Sequence, residues 1–210
     1  MPTSPYEHIS TIIFFLSRLK PSSILDIGIG NGKMGFIARD LLDVMLGERY
    51  KKEEWKIRID GIEIFADYIQ DHQRALYDTI HIGDASAVID TLQQYDLIIL
   101  SDVLEHFEKE KAWLLLDKCA NHAKHIILNI PLGERWTQPG IYGNPHEKHL
   151  SFWSREAFEP FVCVKEYFSF DPGEYGSFLI DSKDYLAYRQ KGETVKMQVV
   201  LETKRFMSRH

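Results

Sequence analysis

The chain is poor in cysteine, has no long apolar run and carries no excess of basic residues. Cys119 and Cys163 are its two cysteines among 210 residues, both in apolar segments and without metal-ligand spacing. That argues against a disulfide-built scaffold or a cysteine metal site, and predicts buried thiols in a reducing compartment. The apolar stretch 12–16 is too short to span a bilayer, and no signal-peptide pattern precedes it, so no membrane partner and a cytoplasmic location are expected. With 25 Lys and Arg against 31 Asp and Glu, the net charge is −6, and broad electrostatic capture of nucleic acid is not expected. Internal repeats, low-complexity tracts and linker-like stretches are missing as well. What is there is an ordinary globular composition, 44% hydrophobic, at a length that suits one domain with a full core.

Apolar periodicity switches repeatedly between the helical and the strand period. Helical spacing covers 6–19 and stops before Pro21. A buried strand at 24–28, an amphipathic helix at 33–46, a charged loop at 50–54 and a strand at 57–64 follow. The alternation continues through helix 67–77, strand 80–82, helix 85–92, strand 95–101, helix 109–122 and strand 126–130. Strand 95–101 is the most hydrophobic, which argues for burial on both faces. Such alternation predicts a parallel, doubly wound sheet. After Pro131 the pattern changes. Residues 132–149 hold Gly133, Pro139, Gly140, Gly143, Asn144 and Pro145, predicting a long loop; it carries Trp136, Tyr142, His146 and His149 and reads as a functional lid. A short helix at 154–158 capped by Ser154 precedes strands 161–170 and 176–181, joined by Asp171-Pro172-Gly173 as an antiparallel hairpin. Residues 183–210 are expected to add a helix and a strand near 195–203.

The most informative stretch is residues 24–35, Ile-Leu-Asp-Ile-Gly-Ile-Gly-Asn-Gly-Lys-Met-Gly. A strand ends in Asp26, glycines follow at 28, 30 and 32, and a helix begins. This lets a nucleotide-like ligand approach bare backbone. Asp26 there repels a phosphate and attracts a cationic group. Beyond the carboxyl ends of later strands stand Glu63, Asp84 and Ser101-Asp102, where a doubly wound sheet binds its ligand. Gly30-Asn-Gly32-Lys-Met-Gly35 also matches a dinucleotide fingerprint. Glu63 then comes later than the roughly 20 residues expected for its ribose acid, an excess the 50–54 loop explains for either fold. Asp26 and Asp84 have no standard place in a dinucleotide site.

The glycine segment resembles the first motif of class I S-adenosyl-L-methionine (SAM) dependent methyltransferases. Tyr95-Asp96-Leu-Ile-Ile-Leu-Ser-Asp102-Val-Leu-Glu105-His106 is similar to a signature of their small-molecule branch, which includes ubiquinone-pathway O-methyltransferases. The resemblance covers about 22–131. It implies a Rossmann-like, doubly wound, mainly parallel seven-stranded sheet with an antiparallel terminal hairpin. One domain over 1–210 is expected, with an N-terminal helix in 1–20, a lid-like loop at 131–153 and an extension at 183–210. It also implies SAM as cofactor, bound by Asp26, Gly28, Gly30, Gly32, Glu63, Ile64, Asp84, Ala85, Ser101 and Asp102. Glu63 is expected to bind the ribose hydroxyls, Ile64 and Phe65 to pack on adenine, and Asp84 with the Ala85 amide to meet its edge.

The implied reaction moves a methyl group to a small-molecule O or N acceptor. A base is needed where the acceptor is a hydroxyl or a protonated amine, and His106 and His149 are the candidates, with His146 beside them. No metal ligand is assigned on these grounds. Asp102, Glu105, His106 and His149 are also similar to the Glu-x-x-Glu-His and distant histidine of metal-assisted RNA 2′-O-methyltransferases. That similarity and a non-catalytic SAM-binding module are the alternatives. The sequence names neither acceptor nor oligomeric state.

Overall fold

Strand β1 (Ser23–Ile27) lies inside a seven-stranded sheet, third from one edge, with four of its five residues buried. It runs parallel to β2 (Arg58–Glu63) on one side and β4 (Tyr95–Ser101) on the other. Strand β3 (Thr79–Ile82) continues parallel beyond β2, and β5 (Ala123–Leu132) beyond β4. Strand β6 (Val162–Phe170) and strand β7 (Gly173–Asp181) close the sheet as an antiparallel hairpin, in the order β3-β2-β1-β4-β5-β7-β6. The computed structural model describes residues 3–192.

The period of two along each strand divides the core into two layers. Leu25, Ile27, Ile98, Leu100 and Ile126 pack against Ala112, Leu115, Leu116 and Cys119 of α5 (Lys109–His122). Ile24, Leu97, Ile99 and Ile127 face α1 (Ile9–Leu19) and α2 (Lys33–Arg39), through Ile12, Phe15, Leu16, Met34 and Ala38. Leu97 to Leu100 are 0% exposed, the double-sided burial that their unbroken hydrophobicity predicts. Each such Leu or Ile contributes about 1.5–3 kcal/mol on burial.

Several boundaries differ from the sequence expectation. Helix α1 begins at Ile9 and not at residue 6, and residues 3–7 run over the carboxyl end of the sheet instead. The helix expected over 33–46 is α-helical to Arg39 and then widens into a π-helical turn, Asp40–Met45. There Arg39, 2% exposed, donates to Asp43 at 2.6 Å, to the Ile57 carbonyl at 2.6 Å and to the Leu76 carbonyl at 2.9 Å. The helix expected over 67–77 breaks into Ala66–Tyr68 and α3 (Asp71–Leu76), where the Gln73 side chain accepts from the Gln70 amide at 2.9 Å. Helix α4 (Ala85–Val88) ends in a tighter turn, Ile89–Thr91. Strand β5 extends through Pro131 and Leu132 because β7 pairs with it as far as Leu132↔Glu174. The hairpin link shrinks to Asp171-Pro172, and Gly173 joins β7. Cys119 is buried as expected, but Cys163 lies exposed on the edge strand β6. Residues 182–192 are helical, and the strand expected near 195–203 lies outside the described residues. Among the described residues no helix is long and apolar enough to cross a membrane.

Candidate active site

The strand order reverses between β1 and β4, so the loops that leave these two strands diverge and open a crevice beyond their carboxyl ends. A cavity of about 1030 Å³ fills that crevice. Gly28, Gly30, Glu63, Ile64, Asp84, Ala85, Ser101, Asp102, His106 and His149 line it, while Asp26 and Gly32 do not.

The turn after β1 needs glycine for conformation and for space. Gly28 has a φ of +73°, and a Cβ there would stand 2.8 Å from Val103 Cγ2. Glu63, 5% exposed at the end of β2, accepts from the Gly30 amide at 3.1 Å and from the Phe65 amide at 3.0 Å. These amides anchor a carboxyl group whose pKa burial pushes upward. Asp26 departs from its expected role as a partner for a cationic ligand. It shares the Ile24 face of β1, and there it accepts from the Tyr77 hydroxyl at 2.5 Å. The same hydroxyl accepts from the Gly35 amide at 3.2 Å, and burial raises Asp26 to a pKa of about 7. Gly32 likewise turns away, toward Gln73 and Tyr77.

At the β2 and β3 end, Ile64 borders the cavity but Phe65 does not; its ring stands edge-on to Tyr68 at 4.9 Å. Asp84 is exposed and caps α4, its Oδ1 accepting from the Ser86 amide at 2.7 Å. Its other oxygen remains available.

At the β4 end, Asp102 has a φ of +55°, a backbone region Asp tolerates better than most residues. Its Oδ1 accepts from the Tyr175 hydroxyl at 2.9 Å, and burial lifts its pKa to about 6. Glu105 is 1% exposed, and neither carboxyl oxygen has a hydrogen-bond partner. Burial, reinforced by the charge of Asp102, raises its pKa well above the ordinary value. The His106 and His149 rings meet edge to face with centroids 5.0 Å apart. Burial, and then the neighbouring His149, lower His106 to a pKa of about 4; burial also lowers that of His149. One ring nitrogen of each histidine and one oxygen of Glu105 lie within 4.8 Å of one another.

The loop after β5 is stitched to this corner by main-chain bonds. Leu150 and Ser151 donate from their amides to the Glu105 carbonyl at 2.7 and 3.1 Å. His149 donates from its amide to the Gln138 carbonyl at 3.0 Å. Trp136, His146 and Glu147 line the cavity, whereas Tyr142 is 61% exposed and stands outside it. Residues that sequence reasoning passed over complete the walls. Thr3 to Glu7 cover the opening, with Lys33 donating to the Ser4 carbonyl and standing 4.0 Å over the Tyr6 ring. His8 behind them stacks on Tyr175 at 5.0 Å. Gln73 donates to the Gly30 carbonyl at 2.7 Å and so clamps the turn from below. These partners are distant in sequence, and no local spacing marks them.

Residues 5–161 match the model of a family described as "Methyltransferase domain". No curated protein matches the chain in sequence. The N-terminal domain of EvdMO1, solved in the presence of SAH and D-fucose, superposes with a TM-score of 0.57 at 14% identity, covering 85% of this chain and 84% of that one. The N-methyltransferase NodS of Bradyrhizobium japonicum WM9 gives 0.57 at 13% identity, over 83% and 94%. Magnesium protoporphyrin IX methyltransferase of Synechocystis PCC 6803 with bound SAM gives 0.55 at 14%, over 83% and 78%. The chain belongs to the methyltransferase domain family and is a SAM-dependent methyltransferase of Rossmann-like fold.

Proposed function

We propose that the cavity at the β1–β4 switch takes SAM and a small-molecule acceptor side by side, and that the methyl passes to an oxygen or nitrogen of that acceptor. Glu63 carries the reading. Two backbone amides use part of its accepting capacity, one of them from the glycine turn itself, and the remainder faces the cavity to receive paired ribose hydroxyls. Gly28 and Gly30 leave room for the amino-acid end, while Ile64, Asp84 and Ala85 border the base. Ser101 and Asp102 lie toward the sulfonium. Asp26 and Gly32 act indirectly by holding the turn from beneath.

When bound, SAM would supply a methyl group activated by its sulfonium for in-line transfer to an acceptor lone pair, with SAH as the leaving product. The fold's task is alignment and exclusion of water, which the 3–7 segment and the loop that follows β5 perform as walls. His106 and His149 border the acceptor end, where an Nε2 lone pair can take the acceptor proton. One solved relative in fold is a magnesium protoporphyrin IX methyltransferase and another was solved in the presence of SAH and D-fucose, which supports a small acceptor.

Calorimetric titration tests this. SAM binds the wild type, and Glu63→Ala weakens it by at least about tenfold through lost ribose hydrogen bonds. Unchanged affinity overturns the role of Glu63, and no binding at millimolar SAM overturns the cofactor site. Methyl-labelled SAM offered with hydroxyl and amine acceptors then separates an enzyme from a binding module.

A further inference from the structure

We propose that Lys33 is the counter-ion for the carboxylate of the cofactor's amino-acid end, and so the residue that tells SAM and SAH from nucleosides lacking that end. The proposal rests on the methyl-transfer reading and adds to it a specificity residue beyond the glycines and the strand-end acids.

The charges that border the cavity single Lys33 out. Among the described residues three lysines and no arginine line it. Lys118 is engaged by the Asp90 carboxylate and by the Ser86 carbonyl, to which it donates at 2.6 Å. Lys111 is 67% exposed and stands 3.8 Å from Glu108. Lys33 is half-buried and forms no ion pair among the described residues. One of its three N–H groups goes to the Ser4 carbonyl, and its ammonium stands 4.0 Å over the Tyr6 ring. A carbonyl and an aromatic face hold the ammonium in place without neutralising it, so its charge and further N–H groups are left for a ligand.

Its surroundings fit an amino-acid group. Lys33 opens α2 directly after Gly32 and borders the cavity together with Gly28, Gly30 and Ser101. The Ser4 and Ser101 hydroxyls lie 3.2 Å apart, so the 3–7 segment meets the end of β4 beside this ammonium. Asp102 is near enough for its charge to act on Lys33, and its Oδ2 is buried with no hydrogen-bond partner. A cation without a counter-ion and, near it, a carboxylate oxygen without a donor together match a zwitterion. The amino-acid end of SAM carries both signs on one carbon. Its carboxylate meets Lys33 in a charge-assisted hydrogen bond, and its ammonium turns to Asp102 Oδ2. The nucleoside carries neither charge, so Glu63 and Lys33 read different parts of one ligand.

The test is calorimetry on the full chain with SAH and 5′-methylthioadenosine, two neutral thioethers of the same nucleoside, of which only SAH has the amino-acid end. The wild type is expected to bind SAH at least about tenfold more tightly. Lys33→Met keeps the stem and removes the charge. It is expected to lose at least about tenfold for SAH and to stay within about twofold for 5′-methylthioadenosine, with Lys33→Arg recovering part of the loss. Glu63→Ala weakens both ligands, and circular dichroism monitors folding throughout. A folded Lys33→Met that loses both ligands equally acts only by holding the 3–7 segment, and that result overturns the proposal. Unchanged SAH affinity overturns it as well. Equal affinity of the wild type for the two ligands, a comparison that needs no variant, overturns the role of Lys33 and leaves the cofactor site standing. Binding of neither ligand removes the cofactor reading and this proposal with it.

Discussion

Tyr77 donates to Asp26 at 2.5 Å across 51 residues of sequence and accepts from the Gly35 amide at 3.2 Å, so one phenol ties β1 to the start of α2 beneath the glycine turn. Gly35 is glycine for the same reason: a Cβ there would collide with the Tyr77 ring carbon Cζ. Tyr77→Phe keeps the ring and removes both bonds, so a buried acid and a buried amide lose their phenol partner. The expected loss is about 1–3 kcal/mol of stability, read as a lower thermal midpoint, together with weaker SAM binding. A variant that melts and binds like the wild type removes Tyr77 from the account.

His8 makes stability depend on pH. It is 0% exposed, stacked on Tyr175, and neither ring nitrogen has a partner. Burial, and then the charge of Lys33, lower its pKa from 6.5 to about 4. The folded state therefore binds the proton more weakly than the unfolded chain. The stability that His8 contributes is complete above pH 6.5 and is lost as pH falls through 6.5 toward 4, by on the order of 3 kcal/mol. Urea midpoints of the wild type are expected to fall more steeply over that window than those of His8→Phe, which keeps the stacking. Parallel slopes would show that His8 does not drive the change.

Gly28→Ala places a side chain on a backbone with φ of +73° and sets its Cβ 2.8 Å from Val103 Cγ2. Conformational strain alone costs about 1–2 kcal/mol. Relief of the contact shifts the turn that presents the Gly30 amide to Glu63. Lower thermal stability and reduced SAM affinity are expected together in paired melting and calorimetry experiments.

Arg39 and Asp43 form a buried pair, 2% and 0% exposed, that joins the helical segment after β1 to the entry of β2. Asp43 also accepts from Arg49 at 2.7 Å and from the Lys56 amide at 2.8 Å, and with these partners its carboxyl sits below the usual range. Arg39→Ala removes the bonds to Asp43 Oδ2 and to the Ile57 and Leu76 carbonyls together, leaving Asp43 with Arg49 and the Lys56 amide. A loss of about 3–5 kcal/mol is expected, measured by chemical denaturation. Lys52→Ala, on the exposed loop, is the control and changes little.

The acids at strand ends were legible because strands alternate with helices. Parallel strands place all their carboxyl ends on one side, so Glu63, Asp84 and Asp102 meet one cavity whatever the loops do. Asp26 shows where local pattern stops. Its place in the alternation of β1 puts it with Ile24, on the layer under α2, but its partner Tyr77 is supplied by the chain end of α3. Tyr142 misled for a related reason: an aromatic in a lid-like loop can point either way, and this one points to solvent.

The sequence alone determined the fold class, the order of elements and the end of the sheet where the cavity opens. These follow from periodicity, turn residues and the directionality of parallel strands, all of which are local. Tertiary structure decided which side chains face that cavity. It turned Asp26 and Gly32 away, drew residues 3–7 across the mouth, and brought His149 to Glu105 and His106. Those outcomes depend on which layer covers each face and on bonds between distant segments, and neighbouring residues in the chain carry no record of either.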